Sequence, residues 1–80
     1  MENLAIEEFK SKLAGRIRQL RKASGMTQPE LAIKIGFKDK QVVNTYEIKG
    51  ANPTAYNLVL IAKALNVSVE ELLDFKKLDK

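Results

Sequence analysis

Cysteine and histidine are both absent from this chain of 80 residues. Without cysteine there is no disulfide and no thiol nucleophile. Without either residue the usual zinc ligands are missing, and so is the commonest general base. There is no Gly-rich phosphate loop and no cluster with metal-ligand spacing. The adjacent carboxylates Glu7/Glu8 and Glu70/Glu71 stand at helix starts, where the helix dipole and capping explain them. An enzyme is therefore not expected, and neither is a metal or a cofactor. No apolar run approaches the roughly 20 residues that span a bilayer. The opening stretch Met1 to Glu8 is acidic, which makes a poor secretory signal. Cytoplasmic residence without a membrane partner is the expectation, and the missing cysteine agrees with a reducing compartment.

What is present is unevenly charged. The net charge of +4 divides into −2 over residues 1–11, +6 over 12–50 and 0 over 51–80. A basic middle segment is the electrostatic footprint of a polyanion binder, although a solvated basic face explains the charge equally well. The apolar share of 45% suits one globular domain over 1–80. Its core is expected over about 12–74, with 1–11 an acidic extension of the first helix and 75–80 a frayed tail.

Periodicity predicts five helices and no strand. Phe9, Leu13, Ile17 and Leu20 form one stripe of a first helix over Ile6–Ser24, with Arg16, Arg18 and Lys22 largely off it. Gly25 is placed to end it in a left-handed conformation. Thr27-x-x-Glu30 is a capping box that opens a second helix, with Pro29 in its first turn and Leu31, Ala32 and Ile35 inward. Gly36 stops it. Phe37-Lys38 is the turn, Asp39 the predicted N-cap of a third helix, and Val43 and Tyr46 its inward residues. Thr54 caps a fourth helix with Leu58, Ile61, Ala62 and Leu65 inward. Asn66 ends that helix, and Ser68-x-x-Glu71 opens a short fifth. Two short helices joined by a tight turn, the second presenting polar groups, is the layout of a helix-turn-helix.

The third helix then carries the candidate chemistry. Lys40, Gln41, Asn44 and Thr45 lie near its N-terminus. Gln41 matches adenine N6 and N7, and Lys40 matches guanine O6 or N7. Asn44 and Thr45 reach less far and suit water-mediated contacts. Val42 could touch a thymine methyl. A merely solvated polar face is the alternative.

These pieces together resemble a known family, the Cro/repressor-type helix-turn-helix domains, similar to lambdoid phage repressors and the Xre regulators. The resemblance is carried by Ile17-x-x-Leu20-Arg21, by Gly25-Met26-Thr27-Gln28-x-x-Leu31-Ala32-x-x-Ile35-Gly36 and by Val43-x-x-Tyr46-Glu47. It continues through Asn52-Pro53-Thr54 and Leu58-x-x-Ile61-Ala62-x-x-Leu65-x-Val67-Ser68-x-x-Glu71-Leu72. Two departures stand out. Between Gly36 and Glu47 there is one residue more than the family usually has, most simply placed at Phe37-Lys38. The glycine of Ile48-Lys49-Gly50 also comes one position late.

The resemblance implies an all-α, compact five-helix, lambda-repressor-like bundle. It implies non-enzymatic, sequence-specific binding of double-stranded DNA, usually by a homodimer; a transcriptional regulator is the leading expectation, with repression by blocking polymerase favoured over activation but not shown by the sequence. Base contact falls on Lys40, Gln41 and Thr45. Gln28 is expected to touch a phosphate and brace the third helix. Thr27, Lys38, Lys49, Asn52, Arg16, Arg18 and the Gly50-Ala51 backbone complete the phosphate candidates. Arg21 and Glu47 are expected to form a partly buried ion pair. Val69, Leu72, Leu73 and Phe75, with Val67, Val59 and Leu60, are more apolar than a terminal helix needs, which suits a dimer face. Completing the monomer core is the other explanation. A protein-interaction module, such as an antitoxin or co-regulator, is the competing function.

Overall fold

In the computed structural model, which describes residues 5–78, Leu13 and Ile17 are wholly buried along an 18-residue helix, α1 (Ile6–Ala23). Four further helices follow: α2 (Gln28–Ile35), α3 (Val42–Lys49), α4 (Ala55–Ala64) and the single turn α5 (Val69–Leu72). A 3-10 turn, Phe75–Lys77, closes the described chain, and there is no strand among the described residues. The all-helical architecture is the one expected from sequence. α1 packs against α3 and α5, while α2 packs against α3 and α4.

The core sits between these helices. Leu13, Ile17, Leu31, Val43, Ile61 and Leu72 are all fully buried, and each such side chain is worth about 1.5–3 kcal/mol when taken out of water. One long helix and several short ones need sharp, defined corners, and three of those corners share a device. Met26 N–H donates to Arg21 O, Phe37 N–H to Ala32 O, and Val67 N–H to Ala62 O, each at 3.0–3.1 Å. These six-residue closures each need a left-handed residue before the donor. Gly25 (φ 72°), Gly36 (φ 97°) and Asn66 (φ 60°) supply it.

The helix starts follow sequence with two differences. The Thr27 box is complete: Glu30 N–H donates to Thr27 Oγ1 at 3.2 Å, and Thr27 N–H to Glu30 Oε1 at 2.8 Å. The Ser68 box is half made. Glu71 N–H reaches Ser68 Oγ at 2.9 Å, but the Glu71 carboxylate turns to Lys77 and Arg16 instead. Asp39 does not cap α3 directly. Its carboxylate accepts from Gln41 N–H at 2.8 Å and its carbonyl from Val42 N–H at 3.3 Å, so it caps a tight turn that runs into α3. The six-residue connection 36–41 has room for that turn.

The expectation of a frayed tail from Phe75 is corrected for residues 75–78. Phe75 meets Phe9 edge-on, with ring centroids 5.9 Å apart. Leu78 lies over Gly15, where an added Cβ would come within 3.0 Å of Leu78 Cδ2. Residues 79–80, like 1–4, lie outside the described residues.

Candidate nucleic-acid interface

The best-defined polar cluster joins α1, α2 and α3. Arg21 Nε and Nη2 donate to the two carboxylate oxygens of Glu47 at 2.7 and 3.0 Å. The side chains are only 10% and 4% exposed. Gln28 Nε2 donates to Glu47 Oε1 at 3.0 Å, and Arg21 Nη1 donates to Met26 O at 2.7 Å. A parallel two-bond fork of this kind fixes geometry as well as charge. The expected Arg21–Glu47 pair is present, and Gln28 braces α3 through it. The Glu47 bond uses one Gln28 amide proton and leaves the other free.

The same network sets the titration of its members. The Glu47 hydrogen bond, ahead of the opposing effect of burial, raises the Arg21 guanidinium above its ordinary value. Burial pushes the Glu47 carboxyl up. Hydrogen bonds from Arg21 and Gln28, with the charges of Arg21 and Arg18, outweigh burial and hold it below its ordinary value. A carboxyl lowered in the folded state stabilises it above the unfolded pKa of about 4.3, and that stabilisation is lost as pH falls through the folded value. The urea midpoint is therefore expected to hold from pH 7 down to about 5 and to fall below about 4.3. Glu47→Gln lowers the midpoint at pH 7 but flattens the acid limb. What is left of that limb belongs to Glu71, held low first by Lys77, and Glu30, held low first by the Thr27 amide. An acid limb equally steep in wild type and Glu47→Gln would show that Glu47 does not carry it.

Around this cluster the polar candidates separate. Lys40 and Gln41 are exposed in the turn that leads into α3, and Thr45 is exposed one turn on. The Gln41 backbone is already helical (φ −82°, ψ −10°), and its carbonyl accepts from Thr45 N–H at 2.9 Å. Gln41, Thr45, Ile48 and Lys49 thus share one outward stripe at helical spacing. Asn44 and Val42 are half-buried at its flank. Thr27, Lys38, Lys49 and Asn52 are exposed and Gln28 is half-buried.

Two phosphate candidates are corrected. Arg16 is 2% exposed. Its guanidinium donates to Glu71 O at 2.6 Å, to Gln19 Oε1 at 2.7 Å and to the Glu71 carboxylate at 3.2 Å, so it faces the interior. The Gly50-Ala51 backbone is also engaged, with Gly50 N–H on Tyr46 O and Ala51 N–H on Lys10 O, both at 2.9 Å. Leu72 is corrected as a dimer residue because it is wholly buried within the chain. Phe75 is half-buried against Phe9, while Val69 and Leu73 are half-buried and Val59 is 42% exposed. Sequence reasoning missed the internal role of Arg16. The signal was its place three residues after Leu13 and seven after Phe9, within the α1 stripe. It also missed Ile48, which is 71% exposed. Among the described residues there is no group of three or more potential metal ligands, and no helix is long and apolar enough to cross a membrane.

A bundle in which one short helix is braced by another and presents a polar stripe defines the helix-turn-helix class. A helix-turn-helix family model matches residues 17–72, and the chain belongs to that family. It is 41% identical over 58 residues to an uncharacterized HTH-type transcriptional regulator, YobD, of Bacillus subtilis, which covers 72% of this chain and 51% of the relative. It is 32% identical to the control protein C.SmaI of Serratia marcescens, over 89% of this chain and 83% of the relative. The chain spans about half the length of the Bacillus relative. Among solved structures, the restriction-modification controller C.AhdI of Aeromonas hydrophila superposes with a TM-score of 0.71 at 34% identity, covering 78% of this chain and 92% of the other. SinR, a master regulator for biofilm formation solved in complex with DNA, gives 0.69 at 36% identity over 78% of this chain and 98% of the other.

Proposed function

We propose that this chain is a sequence-specific DNA-binding transcriptional regulator without enzymatic activity. In this reading it acts in the cytoplasm as a homodimer and represses by occupying its site. The observation that carries the reading is the Gln28–Glu47–Arg21 network. It holds α3 at a fixed angle to α2 while leaving Lys40, Gln41 and Thr45 exposed at the leading end. A helix must be held this way to enter a major groove 12 Å wide, as a round figure for B-DNA. Base readout falls to Lys40, Gln41, Asn44 and Thr45, and backbone contact to Gln28, Thr27, Lys38, Lys49 and Asn52. Such backbone contacts position the protein without reading sequence. SinR, solved in complex with DNA, and the restriction-modification controller C.AhdI support the same reading.

Exposed Tyr56 and Val59 favour the competing reading, a module that mainly holds a protein partner. A salt titration on a random duplex separates the two. Each phosphate neutralised contributes a log–log slope of about −0.9. The phosphate-facing cations Lys38 and Lys49, with Lys40 nearby, set an expected slope of roughly −3 for one subunit. Weak binding that does not change with salt would favour the interaction module.

A further inference from the structure

We propose that Ile48 is a specificity-determining residue of α3 that reads the C5 methyl group of one thymine in each half-site of double-stranded DNA. The proposal rests on the DNA-reading role proposed above for α3 and adds to it a group of different chemistry. Ile48 is 71% exposed. A single exposed apolar side chain is ordinary on a protein surface, so its place on the helix carries the argument. Gln41, Asn44, Thr45 and Ile48 stand at i, i+3, i+4 and i+7, one face over two turns. Helices that lie in a major groove present base-reading side chains at this spacing. Val43 is wholly buried and Tyr46 packs on the core from the other side of α3, and Ile48 has no place in that core.

The backbone on both sides of Ile48 is held. Glu47 before it is fixed by Arg21 and Gln28. After it, Gly50 N–H donates to Tyr46 O and Ala51 N–H to Lys10 O. A β-branched side chain on such a support has little freedom left to lose on binding. Lys49 follows Ile48, and Arg18 lines the adjoining hollow with it, so cations flank the side chain on the side suited to the phosphates that edge a groove. An isoleucine has neither donor nor acceptor. In the major groove thymine alone presents a methyl group, whereas guanine presents N7 and O6, adenine N7 and N6, and cytosine N4. Isoleucine laid over those polar edges leaves them unpaired, so the residue selects thymine by attraction and by exclusion. A helix rises about 1.5 Å per residue, which puts Ile48 about 10 Å beyond Gln41, roughly three base-pair steps of about 3.4 Å. Val42, next to Gln41 and half-buried, is too near the leading end to serve that position.

Replacing thymine by deoxyuridine, one base at a time, in the duplex that wild type selects from random sequences removes only the methyl group and tests this. Affinity is read by fluorescence anisotropy with the full chain. Wild type is expected to lose about fourfold at one thymine per half-site, about three base pairs from the position that Gln41→Ala relaxes, the effect of about one buried methyl group. Ile48→Ala should bind the thymine duplex about fourfold or more weakly and treat uracil and thymine at that position alike within about 1.5-fold. Its response at every other thymine should match wild type. Val42→Ala should keep the wild-type response at the Ile48 position. Ile48→Ala should also keep its far-UV circular dichroism, since it truncates an exposed side chain; an unfolded variant would give Ile48 a core role and overturn the proposal. A consensus in which no thymine methyl matters, or an Ile48→Ala variant that discriminates at every thymine as wild type does, would overturn it and leave base reading by Gln41 intact. A wild type that enriches no sequence would remove the DNA reading itself, and this inference with it.

Discussion

Arg21→Ala is expected to lower the melting temperature by roughly 15–25 °C. Truncating Arg21 leaves the Glu47 carboxylate, 4% exposed, with Gln28 as its remaining neutral donor, and strips Met26 O of its partner at 2.7 Å. Breaking a buried pair by removing one member costs about 3–5 kcal/mol. A domain of this size shifts by about 4–8 °C per kcal/mol and has total stability on the order of 4–12 kcal/mol. Glu47→Ala should cost a similar amount. The double replacement Arg21→Met/Glu47→Leu should be less damaging than either single one, because it leaves no unpaired charge in the interior. Differential scanning calorimetry reads all three. A shift within about 3 °C for Arg21→Ala would mean the pair is not buried in solution.

Gly50→Ala is expected to cost about 3 kcal/mol, more than the same change at the other turn glycines. Gly50 has φ 99°, and an added Cβ would fall 2.9 Å from Lys10 Cβ and 3.4 Å from the Lys10 carbonyl carbon. Neither atom is the free end of a side chain, so the clash must move α1 or the loop. The next residue cannot yield easily, since Ala51 is wholly buried and its N–H is bonded to Lys10 O at 2.9 Å. Gly25 and Gly36 also have positive φ but meet nothing within 4 Å, so alanine there should cost only the left-handed penalty of about 1–2 kcal/mol. Urea unfolding of the three variants gives the ranking. Gly50→Ala no worse than Gly25→Ala would show that the α3–α4 loop is not held tightly on α1. In the proposed reading a loose loop would also weaken DNA binding, because the backbone-contact candidates Lys49 and Asn52 flank this anchor.

Helix positions and corners were legible in the sequence because their causes are local. The Thr27 box needs only residues 27–30, and Gly25, Gly36 and Asn66 announce left-handed ends wherever the chain goes. The Arg21–Glu47 pair was legible only through family resemblance, since 26 residues separate its members. The burial of Arg16 had a local signal in the α1 stripe, but its long-range partners were not legible from local pattern. A long cationic side chain is ordinarily read as solvated, and apart from nearby Gln19 its acceptors lie 55 and 56 residues away, at Glu71 and Leu72. The tail failed for the same reason, because Phe75 and Leu78 are ordered by Phe9 and by a space at Gly15. Asp39 differs in kind. Its carboxylate does bond a nearby main-chain N–H, but that of Gln41 in the turn before α3, which starts at Val42. Lys40 and Gln41 therefore lead α3 from a turn, a placement that one-dimensional spacing does not reveal.

Selection of binding sites from random duplexes, repeated with Gln41→Ala, bears most directly on the proposal that α3 reads DNA. Wild type is expected to recover a pseudo-palindromic consensus with half-site centres about 34–36 Å apart, or a multiple of that spacing. Gln41→Ala should relax preference at one base position per half-site, by roughly 1–3 kcal/mol, with the remaining positions unchanged. Wild-type selection that enriches no sequence, or a Gln41→Ala variant that selects the same consensus at uniformly lower affinity, would contradict base reading by this helix.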